Sequence, residues 1–141
     1  MELHLTRTTN EADSAYVVNG MIAFNAMHMA DDLKGRYEPV TLALKDDDGR
    51  TVGGLVGEVC WNWLEVKYLF IDEAYRKLRY GTKLLEEAER LARERKCDFI
   101  KLDTLSFQAL DFYRKQGYEV YGTLPGAGRH THYYLKKELT S

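Results

Sequence analysis

Two arginines and a lysine stand within four residues at Arg76-Lys77-Leu78-Arg79, followed by Tyr80-Gly81 and then a strongly amphipathic helical pattern. A basic turn that opens onto a helix can bind phosphate. The first turn of a helix carries backbone N–H groups without intrahelical partners, and it is the positive end of the helix dipole. Side-chain charges at the same spot add to that field. The chemistry implied is recognition of a phosphate-bearing ligand, although the same residues taken alone also read as a solvated helix start.

Other chemistry-bearing residues are more dispersed. His130 and His132 alternate near Gly126 and Gly128, so a strand would place both on one face. No carboxylate or cysteine stands beside them in the sequence, so no metal is expected, and they are read as shaping the loop between the last two strands. Cys60 and Cys97 are far apart, without C-x-x-C spacing or a base at recognisable distance. They read as reduced thiols, which disfavours a disulfide, a zinc site or an acyl-cysteine route. Met21, Met27, Met29 and His28 crowd together with Phe24 and Asn25, a pattern usual for core filling. Trp61 and Trp63 read either as core or as an aromatic wall for a cationic ligand.

The elements that must position these residues follow from periodicity and turn chemistry. The chain has 141 residues, 45% hydrophobic and 30% charged, enough for one domain spanning 1–141 with a core that needs no staples. A net charge of −2 gives no electrostatic reason for nucleic acid or an anionic membrane. No apolar run reaches membrane-spanning length, and the cytoplasm is the expected location. Leu3, Leu5 and Arg7 alternate as a short strand. Thr9 or Asn10 can cap a helix through Ala12, Ala15, Tyr16, Val18, Met21 and Ile22, with a break at Asp31-Asp32 and Gly35. Val40, Leu42 and Leu44 alternate, Asp46-Asp47-Asp48-Gly49 signals a hairpin, and Thr51 to Trp61 is its partner strand. Trp63 to Ile71 is the next strand. Thr82 to Lys96 is a helix whose apolar stripe is Leu84, Leu85, Ala88, Leu91 and Ala92, with Glu86–Arg90 and Glu89–Arg93 as i,i+4 pairs. Phe99 to Leu105 is a strand, Ser106 to Gln116 a helix ended by Gly117, and Tyr118 to Leu124 and His132 to Leu139 close the chain around a loop at Pro125 to Gly128. The fold class is α/β (α+β), with a mixed central sheet of six to seven strands and about four helices.

The order of these elements, with the basic turn between strand and helix, resembles the GNAT superfamily of acyl-CoA-dependent N-acetyltransferases. Arg76 and Gly81 match the first and last positions of its Gln/Arg-x-x-Gly-x-Gly/Ala signature. Ser106, Ala109, Phe112, Tyr113, Lys115, Gly117 and Tyr118 resemble a second family block on the next helix. Two departures stand out: Arg79 occupies the place of the middle glycine, and Ser106 that of a frequent asparagine. Arg79 could narrow the cradle for a pyrophosphate or join in holding it.

The resemblance implies acetyl-CoA as co-substrate, with no metal, lying where the strands Trp63–Ile71 and Phe99–Leu105 splay apart. Backbone groups of the segment Leu69, Phe70 and Ile71 would bond the pantetheine amides. The turn Arg76, Lys77, Leu78, Arg79, Tyr80, Gly81 and Thr82 would hold the pyrophosphate, with Ser106, Ala109, Phe112 and Lys115 along the second block. A lysine-like amine is neutral only about once in a few thousand molecules at pH 7, so direct attack on the thioester calls for a base. Glu65, eleven residues before Arg76, is at the position of the family's glutamate base. Tyr113 matches the tyrosine that protonates the leaving thiolate. Asn25 and His28, with Trp61 and Trp63, would border the acceptor. The expected activity is transfer of an acetyl group to a primary amine by direct attack in a ternary complex. Alternatives are a coenzyme A thioester-binding module with little turnover and a transferase of a longer acyl group. The acceptor, a small-molecule or peptide amine, stays open, and a homodimer is an assembly common in the family.

Overall fold

In the computed structural model, which describes residues 1–139, the chain forms two units that divide at Gly35 and Arg36. Thr140 and Ser141, the end of the expected 1–141 domain, lie outside the described residues. In the first unit, α1 runs Glu11–His28. Asn10 caps it, its side-chain oxygen accepting from the Ala12 N–H at 2.9 Å, and Asn10 N–H in turn donates to Thr8 Oγ1 at 3.0 Å. The strand expected at Leu3 to Arg7 is absent: residues 1–10 carry no regular structure. Alternation alone does not make a strand, and among the described residues no strand pairs with this segment.

The second unit is a six-stranded sheet with helices inserted. Its elements are β1 (Tyr37–Lys45), β2 (Thr51–Cys60), β3 (Trp63–Ile71), a 3₁₀ turn (Glu73–Tyr75), α2 (Tyr80–Glu94), β4 (Phe99–Leu105), α3 (Leu110–Lys115), β5 (Glu119–Ala127) and β6 (His130–Glu138). The strand order is β1-β2-β3-β4-β6-β5, with β3–β4 the parallel pair and the others antiparallel. Six strands and three α-helices agree with the mixed sheet expected. Asp46 closes the first hairpin, its carboxylate accepting from the N–H groups of Asp48 and Arg50, both at 2.9 Å. The β5–β6 hairpin is tighter than the loop expected at Pro125 to Gly128. Pro125 and Ala127 pair within the sheet, and Gly128 and Arg129 alone turn the chain at φ 58° and 64°. Two consecutive left-handed residues match the strand twist, which is why two suffice.

Packing gathers on one face of the sheet. Leu55, Leu64, Leu85, Ile100 and Leu135 are completely buried, with Leu84, Ala88 and Ala92 of α2 beside them. The i,i+4 pairs expected on α2 are replaced. Arg90 bonds Glu87 and Glu94, while Glu89 turns inward to accept from Lys137 Nζ at 2.9 Å and from the Tyr118 hydroxyl at 3.3 Å. Lys137 also donates to the Gln116 carbonyl at 2.9 Å. This buried network anchors the end of α3 to α2 and β6. A buried charge needs such partners, and removing one would strand the others.

One irregularity positions the site. The β3–β4 ladder covers only Trp63/Phe99 to Val66/Leu102. At that point the β2–β3 register skips Lys67, passing from Gly57/Val66 to Val56/Tyr68. The extra residue is a bulge, which bends its strand and sharpens the local twist. Gly57 permits it, since a β-carbon there would lie 2.1 Å from the Glu65 carbonyl oxygen. Beyond the bulge β3 and β4 separate. Among the described residues no helix is long and apolar enough to cross a membrane.

Candidate active site

The basic turn bridges the end of β3 and the start of α2. Lys77 and Arg79 both adopt left-handed backbone, at φ 62° and 70°. Alternation of that kind points successive N–H groups into a concavity suited to an anion. Arg79 is the residue that caps α2, and no side chain caps the helix there, so the first amides of α2 are open to a ligand. Gly81 sits in the first turn because space demands it: a β-carbon would lie 3.0 Å from Phe112 Cζ. Arg76 donates through Nε to the Ile71 carbonyl at 2.7 Å, and its guanidinium stands 5.5 Å from the Phe70 ring centroid. Thr82 Oγ1 accepts from Gln116 Nε2 at 3.1 Å, tying the turn to the end of α3.

This turn is one end of a cavity of about 1150 Å³ that fills the gap between β3 and β4. Leu69, Phe70 and Ile71 form one side, and Arg76, Lys77, Arg79, Tyr80, Gly81 and Thr82 the basic end. Ala109, Phe112 and Tyr113 wall it from α3. Leu78 does not line it and is 55% exposed. Volume and charge suit a large, partly anionic ligand with an apolar stem.

Tyr113 is buried at 7% exposure, edge-on to Phe112 at 5.2 Å and to Tyr118 at 6.1 Å. Burial, and secondarily the Asp103 carboxylate, pushes its phenol up to about 12. At neutral pH it is therefore a hydrogen-bond donor. Its helix begins later than expected: α3 starts at Leu110, and Ser106 is not its cap. Ser106 instead exchanges hydrogen bonds with Thr131, its N–H donating to the Thr131 carbonyl at 2.8 Å and its hydroxyl oxygen accepting from the Thr131 N–H at 3.1 Å. Gln108 Oε1 holds the turn by accepting from the Leu105 N–H at 2.7 Å.

Several expected site residues of the second unit do not line this cavity. Ser106 and Lys115 do not line the cavity, and neither do Glu65, Trp61 and Trp63. Glu65 lies beside Glu58 of β2 and Lys101 of β4 in the ladder. Trp61 packs edge-on to Trp63 at 5.5 Å, and Lys101 Nζ stands 4.6 Å over the Trp63 ring. Asn25 and His28 belong to α1 of the first unit, where His28 packs on Phe24 at 4.7 Å. Among the described residues no three His, Cys, Asp or Glu side chains converge as metal ligands would.

The cavity also contains residues that motif spacing did not single out, Asp103 of β4 and Lys67 of β3, and it claims His132 of β6. The expectation that His132 has no carboxylate beside it is corrected: Asp103 Oδ1 is 3.4 Å from its Nε2. These residues meet only because β6 lies next to β4 in the sheet. The available signal was weak, an aspartate one residue past the midpoint of its strand.

Comparison with known proteins agrees with this geometry. A sequence profile described as the acetyltransferase (GNAT) family matches residues 7–118. Acetyltransferase Atu2258 of Agrobacterium fabrum is 33% identical over 114 residues, 81% of this chain and 80% of its own length. Blasticidin-S acetyltransferase of Streptomyces morookaense is 40% identical over 78 residues, 55% of this chain and 57% of its own. Among solved structures, an acetyltransferase from Bacillus cereus superposes with a TM-score of 0.91 at 34% identity, covering 97% of this chain and 98% of that one.

Proposed function

The chain belongs to the acetyltransferase (GNAT) family, and from that premise we propose that it moves an acetyl group from acetyl-CoA to a primary amine by direct attack in a ternary complex. The observation that carries the proposal is the cavity in the β3–β4 gap, basic at the α2 turn and walled by a protonated Tyr113. The turn amides and Arg76 would take the pyrophosphate, and the pantetheine arm would lie along Leu69 to Ile71 in place of the missing strand pairing. The thioester would then sit beside α3.

In the reaction the amine nitrogen bonds to the acetyl carbon, the C–S bond breaks, and the departing sulfur takes a proton from Tyr113. A phenol near 12 is a weaker acid than a thiol titrating near about 8.5. Tyr113 therefore acts first as a hydrogen-bond donor to the developing thiolate and gives up its proton late. The nitrogen must also lose a proton to a base; Glu65, the carboxylate the family resemblance offers, does not line the cavity.

Calorimetry with acetyl-CoA, followed by coenzyme thiol release over a panel of amines, tests the proposal. The name of the Streptomyces morookaense relative puts blasticidin S first on that panel. Saturable binding with amine-dependent thiol release is expected. Tight binding without turnover on the whole panel would instead mark a thioester-binding module, and competition with longer thioesters would reveal a different acyl preference.

A further inference from the structure

Asp103 stands where β4 has just parted from β3, one residue past the last ladder pair at Val66/Leu102. Leu102 and Thr104 are buried, so by strand alternation Asp103 projects from the other face of the sheet. Its side chain is 50% exposed and lines the cavity. Across the β4–β6 ladder it faces Tyr134, with His132 one pleat further on. His132 Nε2 is 3.4 Å from Asp103 Oδ1, and His132 Nδ1 is 3.2 Å from the Tyr134 hydroxyl. The imidazole also leans on the Tyr134 ring at 4.4 Å. Nδ1 is thus hydrogen-bonded, and Nε2 lies within ion-pair distance of one carboxylate oxygen. The second oxygen, Oδ2, lies outside this pairing, on a residue that lines the cavity.

The geometry points to Asp103 as the carboxylate that binds the acceptor's ammonium and takes its proton, with His132 as the residue that positions it; this rests on the acetyl transfer proposed above. An N–H bond of the ammonium breaks, the proton passes to Asp103 Oδ2, and the electron pair left on nitrogen forms the N–C bond. The C–S bond breaks with its pair on sulfur, which takes the Tyr113 proton. The acylated nitrogen sheds its second proton to restore Tyr113, and Asp103 gives its own to solvent as product leaves.

The surrounding charges favour this residue over Glu65. Lys67 lines the same cavity, but its ammonium is held by Glu58 at 2.6 Å. Lys101, on the same strand and face as Asp103, leans instead over Trp63. From β6 Asp103 faces Tyr134, with His132 and Lys136 a pleat to either side, and Lys136 is held by Glu138 at 3.0 Å. Its charge adds, after burial, to what holds the Tyr113 proton. Glu65 is on the same sheet face, yet it lies short of the gap, level with Lys101. A carboxylate opposite the basic turn also selects positively charged amines over neutral or anionic ones.

Turnover of amines with graded basicity, at one pH, separates the roles. Asp103→Asn should lower kcat/KM for alkylamines titrating near about 10 by about a hundredfold or more. For weakly basic amines, already neutral, it should lose less than about threefold. Acetyl-CoA affinity by calorimetry should not move, which also shows that the variant is folded. His132→Ala should lower kcat about tenfold, and His132→Gln, which keeps an N–H for Asp103, should recover most of it. Glu65→Gln should retain the wild-type dependence. An equal loss across all amines for Asp103→Asn, or the graded loss appearing in Glu65→Gln, would overturn the assignment while leaving acetyl transfer intact. A wild-type protein that binds acetyl-CoA and acetylates no amine would overturn the transfer itself, and this role with it.

Discussion

The two ends of the cavity are built differently. The end proposed for the coenzyme comes from seven consecutive residues, Arg76 to Thr82, with two left-handed residues and an uncapped helix start. The end proposed for the amine draws single side chains from separate elements, Asp103 of β4, His132 of β6 and Tyr113 of α3. Phosphate is bulky, anionic and well served by N–H groups that every residue carries. Proton transfer instead needs a particular atom of a particular side chain within hydrogen-bond reach. Substitutions at the two ends should therefore leave opposite kinetic signatures, coenzyme affinity at one and turnover at the other.

The largest effect is expected at Tyr113. Tyr113→Phe keeps the ring against Phe112 and Tyr118 but removes the donor, so kcat should fall about a hundredfold or more. The dissociation constant for acetyl-CoA should stay within about twofold. Unchanged turnover would remove Tyr113 from the chemistry and weaken the contrast between the ends. The variant has a second readout in stability against pH. The folded-state phenol titrates at about 12 rather than near 10, so the wild type keeps its full stability below about 10 and loses it as pH rises toward 12. Tyr113→Phe lacks that part of the alkaline loss, which denaturant unfolding at pH 8 and pH 11 would show as a smaller decline.

Gly81 should show the converse split. In Gly81→Ala the new β-carbon lies 3.0 Å from Phe112 Cζ, so the ring or the first turn of α2 must shift. Displaced amides should weaken acetyl-CoA binding about tenfold, while kcat at saturating coenzyme stays near the wild-type value. A fall in kcat with unchanged affinity would mean that Gly81 serves the α3 wall and not the cradle.

The same division governs what could be read from the sequence. The elements around the basic turn were legible because their information is contiguous: the strand bounds Trp63–Ile71 and Phe99–Leu105 were anticipated residue for residue, and the turn between strand and helix stood out by charge. Helix α2 is displaced by two residues from the expected span, beginning at Tyr80 and ending at Glu94. Its start was hidden because a left-handed arginine, not a conventional cap, opens it. The amine end was not legible. Alternation placed His130 and His132 on one face, but the carboxylate beside His132 comes from a strand that follows a parallel crossover and pairs out of order. Alternation likewise suggested a strand at Leu3 to Arg7, where the missing ingredient is a neighbour. Ser106 had the chemistry of a cap, yet Thr131 across the sheet competes for it and α3 begins later.

Arg79 offers the smallest effect and the finest division between the two ends. It stands where the resembling signature has glycine, and its φ of 70° supplies the reason for that glycine. A left-handed backbone costs a residue with a β-carbon roughly 1 kcal/mol, partly offset by the extra freedom glycine gains when unfolded. Arg79→Gly should therefore raise unfolding stability by about 0.5 kcal/mol, read from the denaturant midpoint. Its effect on the coenzyme carries the argument. If the guanidinium reaches the phosphates, a charge-assisted contact is lost and binding weakens by about three- to tenfold, more at low salt than at high. If the side chain only crowds the cradle, binding tightens as the backbone opens. Arg79 lines the cavity at its basic end, so weaker binding in a more stable protein is the expected pair of results. Tighter binding would show that even here a side chain, and not the backbone alone, sets the limit on the coenzyme.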